Sequence, residues 1–189
     1  SVKVKSDSFG QLFLPFGNEL FNKVRDHHEA NSGMSRFDKL PIYLTWSGQD
    51  LTQDLINEYS DKFSQLVKQK VIDADWVPGA KEYLKAHHNK CVFFLVTATP
   101  QLEIEYILDK LNIKHCFQQV VGSPIGKIEA VRGLLEKYKI NPLDSIMLGD
   151  SVSDYEAAYS NNIPFILRCT SSDKKLQNKL KCKMVKNFL

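Results

Sequence analysis

Apolar residues recur along this chain with two different periods, and the period changes near residue 73. Before that point the spacing is helical. Phe9, Leu12, Phe13 and Phe16 share one face, and Leu20, Phe21, Val24 and His28 share another. Gly17-Asn18 separates these two helices, and Ser32-Gly33 closes the second. A third is expected through Phe37, Leu40, Tyr43 and Leu44, with Pro41 near its start and Gly48 after its end. Residues 52–72 read as one long amphipathic helix, with Leu55, Ile56, Tyr59, Phe63, Leu66, Val67 and Val71 on its apolar stripe.

The turn-rich Asp73-Ala74-Asp75-Trp76-Val77-Pro78-Gly79 ends this pattern. Helices and strands then alternate. Helices are expected at 79–88, 100–111, 126–138 and 152–161, and strands at 91–96, 118–121, 145–148 and 164–167, with a weak last strand at 183–185. Such alternation predicts parallel strands joined by right-handed crossovers. The expected fold is α/β: a helical domain, 1–73, attached to a doubly wound parallel-sheet domain, 74–189.

Composition excludes several classes. Of the 189 residues, 43% are hydrophobic and 25% charged, as in an ordinary soluble globular protein. A net charge of +3 is too mild to indicate nucleic acid as a partner. Six late lysines, Lys174, Lys175, Lys179, Lys181, Lys183 and Lys186, read as a solvated face beside the last strand. No apolar stretch is long enough to span a bilayer, and no signal peptide is visible, so no membrane association is expected. Cys91, Cys116, Cys169 and Cys182 are scattered without a CxxC pair, consistent with reduced structural thiols and a cytoplasmic location. The chain opens without Met and is expected to be a mature or cut product.

The candidate chemistry lies at the carboxyl ends of the expected strands, where open α/β sheets bind ligands. Ile146-Met147-Leu148-Gly149 reads as a buried parallel strand that runs into Asp150, and Asp154 follows one helical turn later on the same side. This fits two carboxylates forming a hard-oxygen site for Mg²⁺. It fits equally an Asp150 that only caps the helix from 151. The strand at 91–96 ends in Thr97-Ala98-Thr99-Pro100, where a hydroxyl and free N–H groups could bind an anion, or the threonines could serve as helix caps. The next strand leads through Ser123-Pro124-Ile125-Gly126 to Lys127. A Lys in the first turn of a helix opposes the macrodipole, which points to a nearby anion or to simple solvation. A hydroxyl, an ammonium and an acidic pair from successive strand ends together suit a phosphoryl group.

With these residues in order, the chain resembles the haloacid dehalogenase-like phosphohydrolases. Thr97 resembles that family's second motif, Lys127 its third, and Gly149-Asp150-x-x-x-Asp154 its fourth. The resemblance covers essentially the whole chain, because the first half is similar to the family's helical cap. It implies a Rossmann-like core with an α-helical cap. Within the cap, Gly33-Met34-Ser35-Arg36-x-Asp38-x-Leu40 is similar to a segment of the β-phosphoglucomutase and phosphoglycolate phosphatase-like branch. By resemblance, Arg36 would face the substrate's non-transferred end, whereas Ser35 and Asp38 also fit an ordinary helix start. The resemblance further implies Thr97, Lys127 and Asp154 as catalytic residues, Thr97, Ala98, Thr99 and Lys127 as the phosphate cradle, and Asp150 and Asp154 as ligands of Mg²⁺. His27 reads as a surface residue and His28 as a packing one.

One motif of the family is absent from the sequence: an apolar strand ending in Asp-x-Asp-Gly, which supplies the nucleophile. Asp7-Ser8-Phe9-Gly10 lacks both the second Asp and a preceding strand. The chain is therefore expected to be inactive as it stands, either as a piece of a longer protein or as a natural non-catalytic relative. The absent strand would be the central one of the sheet, so its two neighbours would present unpaired edges and the fold would be marginal or the slot otherwise filled. Three functions follow as expectations: a Mg²⁺-dependent phosphatase acting on a small phosphorylated metabolite through an aspartyl-phosphate, a phosphomutase of the β-phosphoglucomutase type, or a non-catalytic binding module. Substrate identity and oligomeric state are not legible.

Overall fold

Caps and breakers place the helices of the first half close to their expected positions. In the computed structural model, which describes residues 2–169, 178, 180 and 182–189, α1 spans Val2–Phe13, α2 Asn18–Ala30, α3 Arg36–Trp46 and α4 Gln53–Ile72. The Ser35 hydroxyl accepts from Phe37 N at the start of α3, and the Thr52 hydroxyl accepts from Leu55 N at the start of α4. Each satisfies an N–H that the helix itself cannot. Pro41 sits in the second turn of α3 and Gly48 lies just past its end, with φ +73°.

The chain divides into two compact units. The helical unit comprises Ser1–Asp75 together with Thr99–Lys114, the latter carrying α6 (Gln101–Lys110). Its core is aromatic. Phe9 stacks on Phe63 with ring centroids 3.7 Å apart and meets Tyr43 edge-on at 5.5 Å. Val24, Leu40, Tyr43, Leu44 and Val67 are fully enclosed around them. Two cations are buried in the same unit, which is costly unless each finds a partner. The Arg36 guanidinium donates to Glu103 at 2.6 Å, to the Ser60 carbonyl at 3.3 Å and to the Ser64 hydroxyl. The Lys39 ammonium lies 3.0 Å from Nδ1 of His28. Burial, followed by the charges of Lys39, Lys5 and His27, holds the His28 pKa down to about 3, so the ring is neutral and accepts from Lys39.

The α/β unit comprises Trp76–Ala98 and His115–Leu189. It carries α5 (Ala80–His87), β2 (Gln119–Ser123), α7 (Lys127–Tyr138), β3 (Met147–Gly149), α8 (Val152–Ser160), β4 (Phe165–Arg168), β5 (Lys183–Val185) and most of β1 (Phe94–Pro100). β3, β4 and β5 form a parallel sheet, in register Met147 to Phe165 and Ile166 to Lys183. β1 and β2 form a separate two-stranded sheet. Val121, Ala130 and Leu134 fill a small core beside β1 and β2, and Leu167, Cys169 and Leu180 fill another beside β4.

Two strand expectations need correction. β1 starts three residues later than 91 and continues through Pro100, so Thr97, Ala98 and Thr99 lie within the strand and not at a helix start. β-branched Val96, Thr97 and Thr99 favour extended backbone, and a residue before Pro is driven out of the helical region. The strand around 147 is not buried as a parallel-sheet strand normally would be. Ile146, just before β3, is 68% exposed and Leu148 41%, and β3 is an edge of its sheet among the described residues. Lys183 and Lys186 are exposed, as expected of a solvated face, while Lys174, Lys175, Lys179 and Lys181 lie outside the described residues. No helix among the described residues is long and apolar enough to cross a membrane.

Candidate active site

The anion that Lys127 requires is supplied by the protein. Lys127 opens α7, where its charge opposes the helix dipole, and its Nζ lies 2.6 Å from Oδ1 of Asp154. The pair is largely shielded from solvent, with the Lys127 side chain 13% exposed and that of Asp154 9%. The other oxygen of Asp154, Oδ2, accepts from Asp150 N and Ser151 N, both at 3.1 Å, and from the Ser151 hydroxyl at 2.7 Å. Ser151 in turn accepts from Asp154 N, which completes a capping box at the start of α8. The cap of this helix is therefore Ser151 and not Asp150, and the Ser-x-x-Asp spacing of Ser151 and Asp154 was the signal for it.

Gly149 allows this arrangement. A Cβ there would fall inside the Asp154 side chain, 2.6 Å from its Cγ. With no side chain at 149, the end of β3 can lie against Asp154 while the carboxylate reaches two successive N–H groups. Asp150 follows at the strand end with an exposed side chain. At the end of β2, the Ser123 hydroxyl is buried and meets no hydrogen-bond partner among the described residues, a feature that the sequence does not single out.

The remaining candidates fall in different surroundings. Thr97 and Ala98 are half-buried in β1, within the α/β unit. Thr99 is buried in the helical unit, where its hydroxyl accepts from Lys5 Nζ at 3.1 Å. Neither Thr97 nor Thr99 caps α6, whose N-cap is Pro100 without a side-chain bond. Arg36 is 5% exposed, with its guanidinium bonded to Glu103 and Ser64. Glu103 is 67 residues away in sequence, so no local pattern points to that pairing. His28 is buried and packs, while half-buried His27 hydrogen-bonds the Tyr43 hydroxyl through Nδ1 at 3.0 Å.

The model of the haloacid dehalogenase-like hydrolases matches residues 16–167, most of the chain, including Thr97, Lys127, Asp150 and Asp154. The chain belongs to the haloacid dehalogenase-like hydrolase family. Its fold, an α/β Rossmann-like core with a helical cap, agrees with solved members of that family. A family IA hydrolase from Entamoeba histolytica HM-1:IMSS superposes with a TM-score of 0.76 at 11% identity, covering 98% of this chain and 86% of that one. A predicted phosphoglycolate phosphatase from Haemophilus somnus 129PT gives 0.69 at 17% identity over 100% and 88% of the two chains. A proposed β-phosphoglucomutase from Thermotoga maritima gives 0.65 at 18% identity over 97% and 87%. At these identities the likeness is one of fold. Among curated proteins, none matches the chain significantly.

For this hydrolase, the donor chemistry indicates which carboxylate suits Mg²⁺. The Asp154 carboxylate already accepts four hydrogen bonds, one of them from an ammonium. Asp150 offers an exposed carboxylate at a strand end. Mg²⁺ commonly takes one or two carboxylates and completes its shell with waters and phosphate oxygens. Asp150 fits that pattern as a single protein ligand.

Proposed function

We propose that this family member is built for Mg²⁺-dependent hydrolysis of a small phosphorylated metabolite. The observation that carries the reading is the Lys127–Asp154 ion pair, tied through Asp150 N to the strand end that bears the exposed Asp150. In this reading Asp150 holds Mg²⁺, which when bound offsets negative charge on the phosphoryl oxygens. Lys127 places a second positive charge at the phosphoryl group. Asp154 is a positioning residue: its carboxylate fixes the direction of the Lys127 ammonium and, through Asp150 N, the backbone that carries Asp150. Thr97 donates its hydroxyl proton to a phosphoryl oxygen, with the backbone of Ala98 alongside.

The attacking carboxylate of this chemistry belongs to an Asp-x-Asp-Gly strand, which the 189 residues do not contain. On this reading the chain alone holds phosphate without turning it over, and such a strand would pair at the open edges of β1 and β3. The mutase alternative drew on Arg36 facing the substrate. With that guanidinium engaged by Glu103, the phosphatase reading comes first.

The test uses a protein in which an Asp-x-Asp-Gly strand precedes residue 1. It is expected to release inorganic phosphate from phosphosugars in the presence of Mg²⁺, without interconverting isomers. Asp150→Asn should lower turnover by about a hundredfold or more. Normal Mg²⁺-dependent turnover in that variant would overturn the assignment. So would isomer interconversion without phosphate release.

A further inference from the structure

The opposite ends of β1 and β2 carry a second cluster of chemistry-bearing side chains. Gln118 N donates to the Phe93 carbonyl at 2.8 Å, which ties together the segments that enter the two strands. His88, the residue capping the C-terminus of α5, and His115 and Cys116, in the turn before β2, meet at this end. One ring nitrogen from each histidine and the Cys116 sulfur all lie within 4.8 Å of one another. The two rings are edge-to-face, with centroids 5.4 Å apart. His87, next in sequence to His88, is used otherwise: it stacks on Tyr83 and bonds the Tyr83 carbonyl.

We propose that His88, His115 and Cys116 form a site for a Zn²⁺-class cation, separate from the phosphoryl site at the other ends of the strands. Two imidazoles and a thiolate are the donors that borderline and soft metals select, and among the described residues the group includes no carboxylate to favour Mg²⁺ or Ca²⁺. The spacing agrees. Zn–S and Zn–N bonds of about 2.3 and 2.05 Å at a tetrahedral angle place sulfur and nitrogen about 3.6 Å apart, and Cys116 Sγ lies 3.6 Å from His115 Nε2. The two imidazole nitrogens need to approach to about 3.3 Å for the same geometry. Half-buried His88 and exposed His115 have the freedom to turn, while buried Cys116 anchors the set.

Binding deprotonates the Cys116 thiol, so that the sulfur–hydrogen bond is exchanged for a sulfur–metal bond and the proton passes to solvent. Three protein ligands leave a fourth position for water. The metal would clip the C-terminus of α5 to the turn before β2. Because the unfolded chain holds no such preformed cluster, metal binding raises the stability of the fold.

The reduced 189-residue chain is titrated with Zn²⁺ and, as a spectroscopic probe, with Co²⁺. One equivalent is expected to bind with a micromolar or tighter dissociation constant, to raise the thermal midpoint by several degrees, and with Co²⁺ to give a thiolate-to-cobalt charge-transfer band. Mg²⁺, which the phosphoryl site would take at Asp150, should neither displace Co²⁺ from this site nor diminish the band. His115→Ala, an exposed position whose loss leaves the fold intact, should weaken binding by at least tenfold, as should His88→Ala. Cys116→Ser should remove the charge-transfer band, while Cys91→Ser should leave it unchanged. Absence of the band in the unaltered chain overturns the proposal, as does its survival in Cys116→Ser or unchanged affinity in both histidine variants. Should Cys116→Ser not fold, the two histidine variants decide the matter.

Discussion

The helical unit and the α/β unit differ in how completely they enclose their apolar residues. In the first, Phe9, Phe13, Leu40, Tyr43, Leu44, Phe63 and Val67 are all at or below 2% exposure, and two cations are buried with them. In the second, the buried residues fall into small separate clusters, and Val92, Leu143 and Ile146 stand largely in solvent. A helix satisfies its own backbone, so a set of amphipathic helices can close a core around one another. A strand needs neighbours on both edges, and among the described residues the strands form two sheets, β1-β2 and β3-β4-β5. The site depends on both parts: Thr97 lies in β1 and Asp150 at the end of β3, strands of two separate sheets.

The contrast can be broken most directly at the buried ion pair. Glu103→Ala leaves Arg36 without its carboxylate, and should cost about 3–5 kcal/mol in denaturant unfolding. Phe63→Ala removes the ring stacked on Phe9 and should cost a similar amount, about 3–5 kcal/mol. If either costs less than about 1 kcal/mol, the helical unit is not as tightly specified as its burial implies.

Gly149→Ala tests the point at which the α/β unit is crowded. The added methyl should cost about 1–3 kcal/mol and, by displacing Asp154 from Lys127, weaken phosphate binding measured by calorimetry. Acid should act selectively on the helical unit. Because the folded state holds the His28 pKa near 3, against 6.5 ordinarily, it binds that proton more weakly than the unfolded chain does. This contribution is complete above about pH 6.5 and falls away as the pH drops toward 3, by about 1.4 kcal/mol between about pH 7.5 and about pH 5.5. Unfolding measured at the two pH values checks the size, and His28→Gln should remove this part of the slope. The smallest effect belongs to Ile146, the exposed residue just before β3. Ile146→Ser should change stability by no more than about 0.5 kcal/mol, and a loss comparable to that of Phe63→Ala would show that β3 is covered in solution.

Much of this was legible because the signals are local. Thr52, Ser35 and Gly48 mark helix ends through bonds and backbone angles only a few residues away, and the strand at 183–185 falls where its pattern places it. β1 was misplaced because Cys91, Val92 and Phe93 are as apolar as the residues that follow, and composition alone does not show where hydrogen bonding with β2 begins. The contrast between Arg36 and Lys127 is similar. Lys127 could be read as needing an anion, because a helix start imposes that need locally. The need of Arg36 is met by Glu103 across 67 residues, and nothing near either residue announces it.

The sequence by itself determined the order of helices and strands, the family, and the residue types waiting at the strand ends, because periodicity, capping and strand-end position depend on near neighbours. Only the tertiary structure decided that Asp154 serves Lys127 and the backbone N–H groups at 150 and 151, that Arg36 is held by Glu103, that β3 faces solvent, and that two histidines and a cysteine meet beneath β1 and β2. These are pairings between distant segments. Their energies depend on burial and on distances of a few ångströms, which become defined only when the chain is folded.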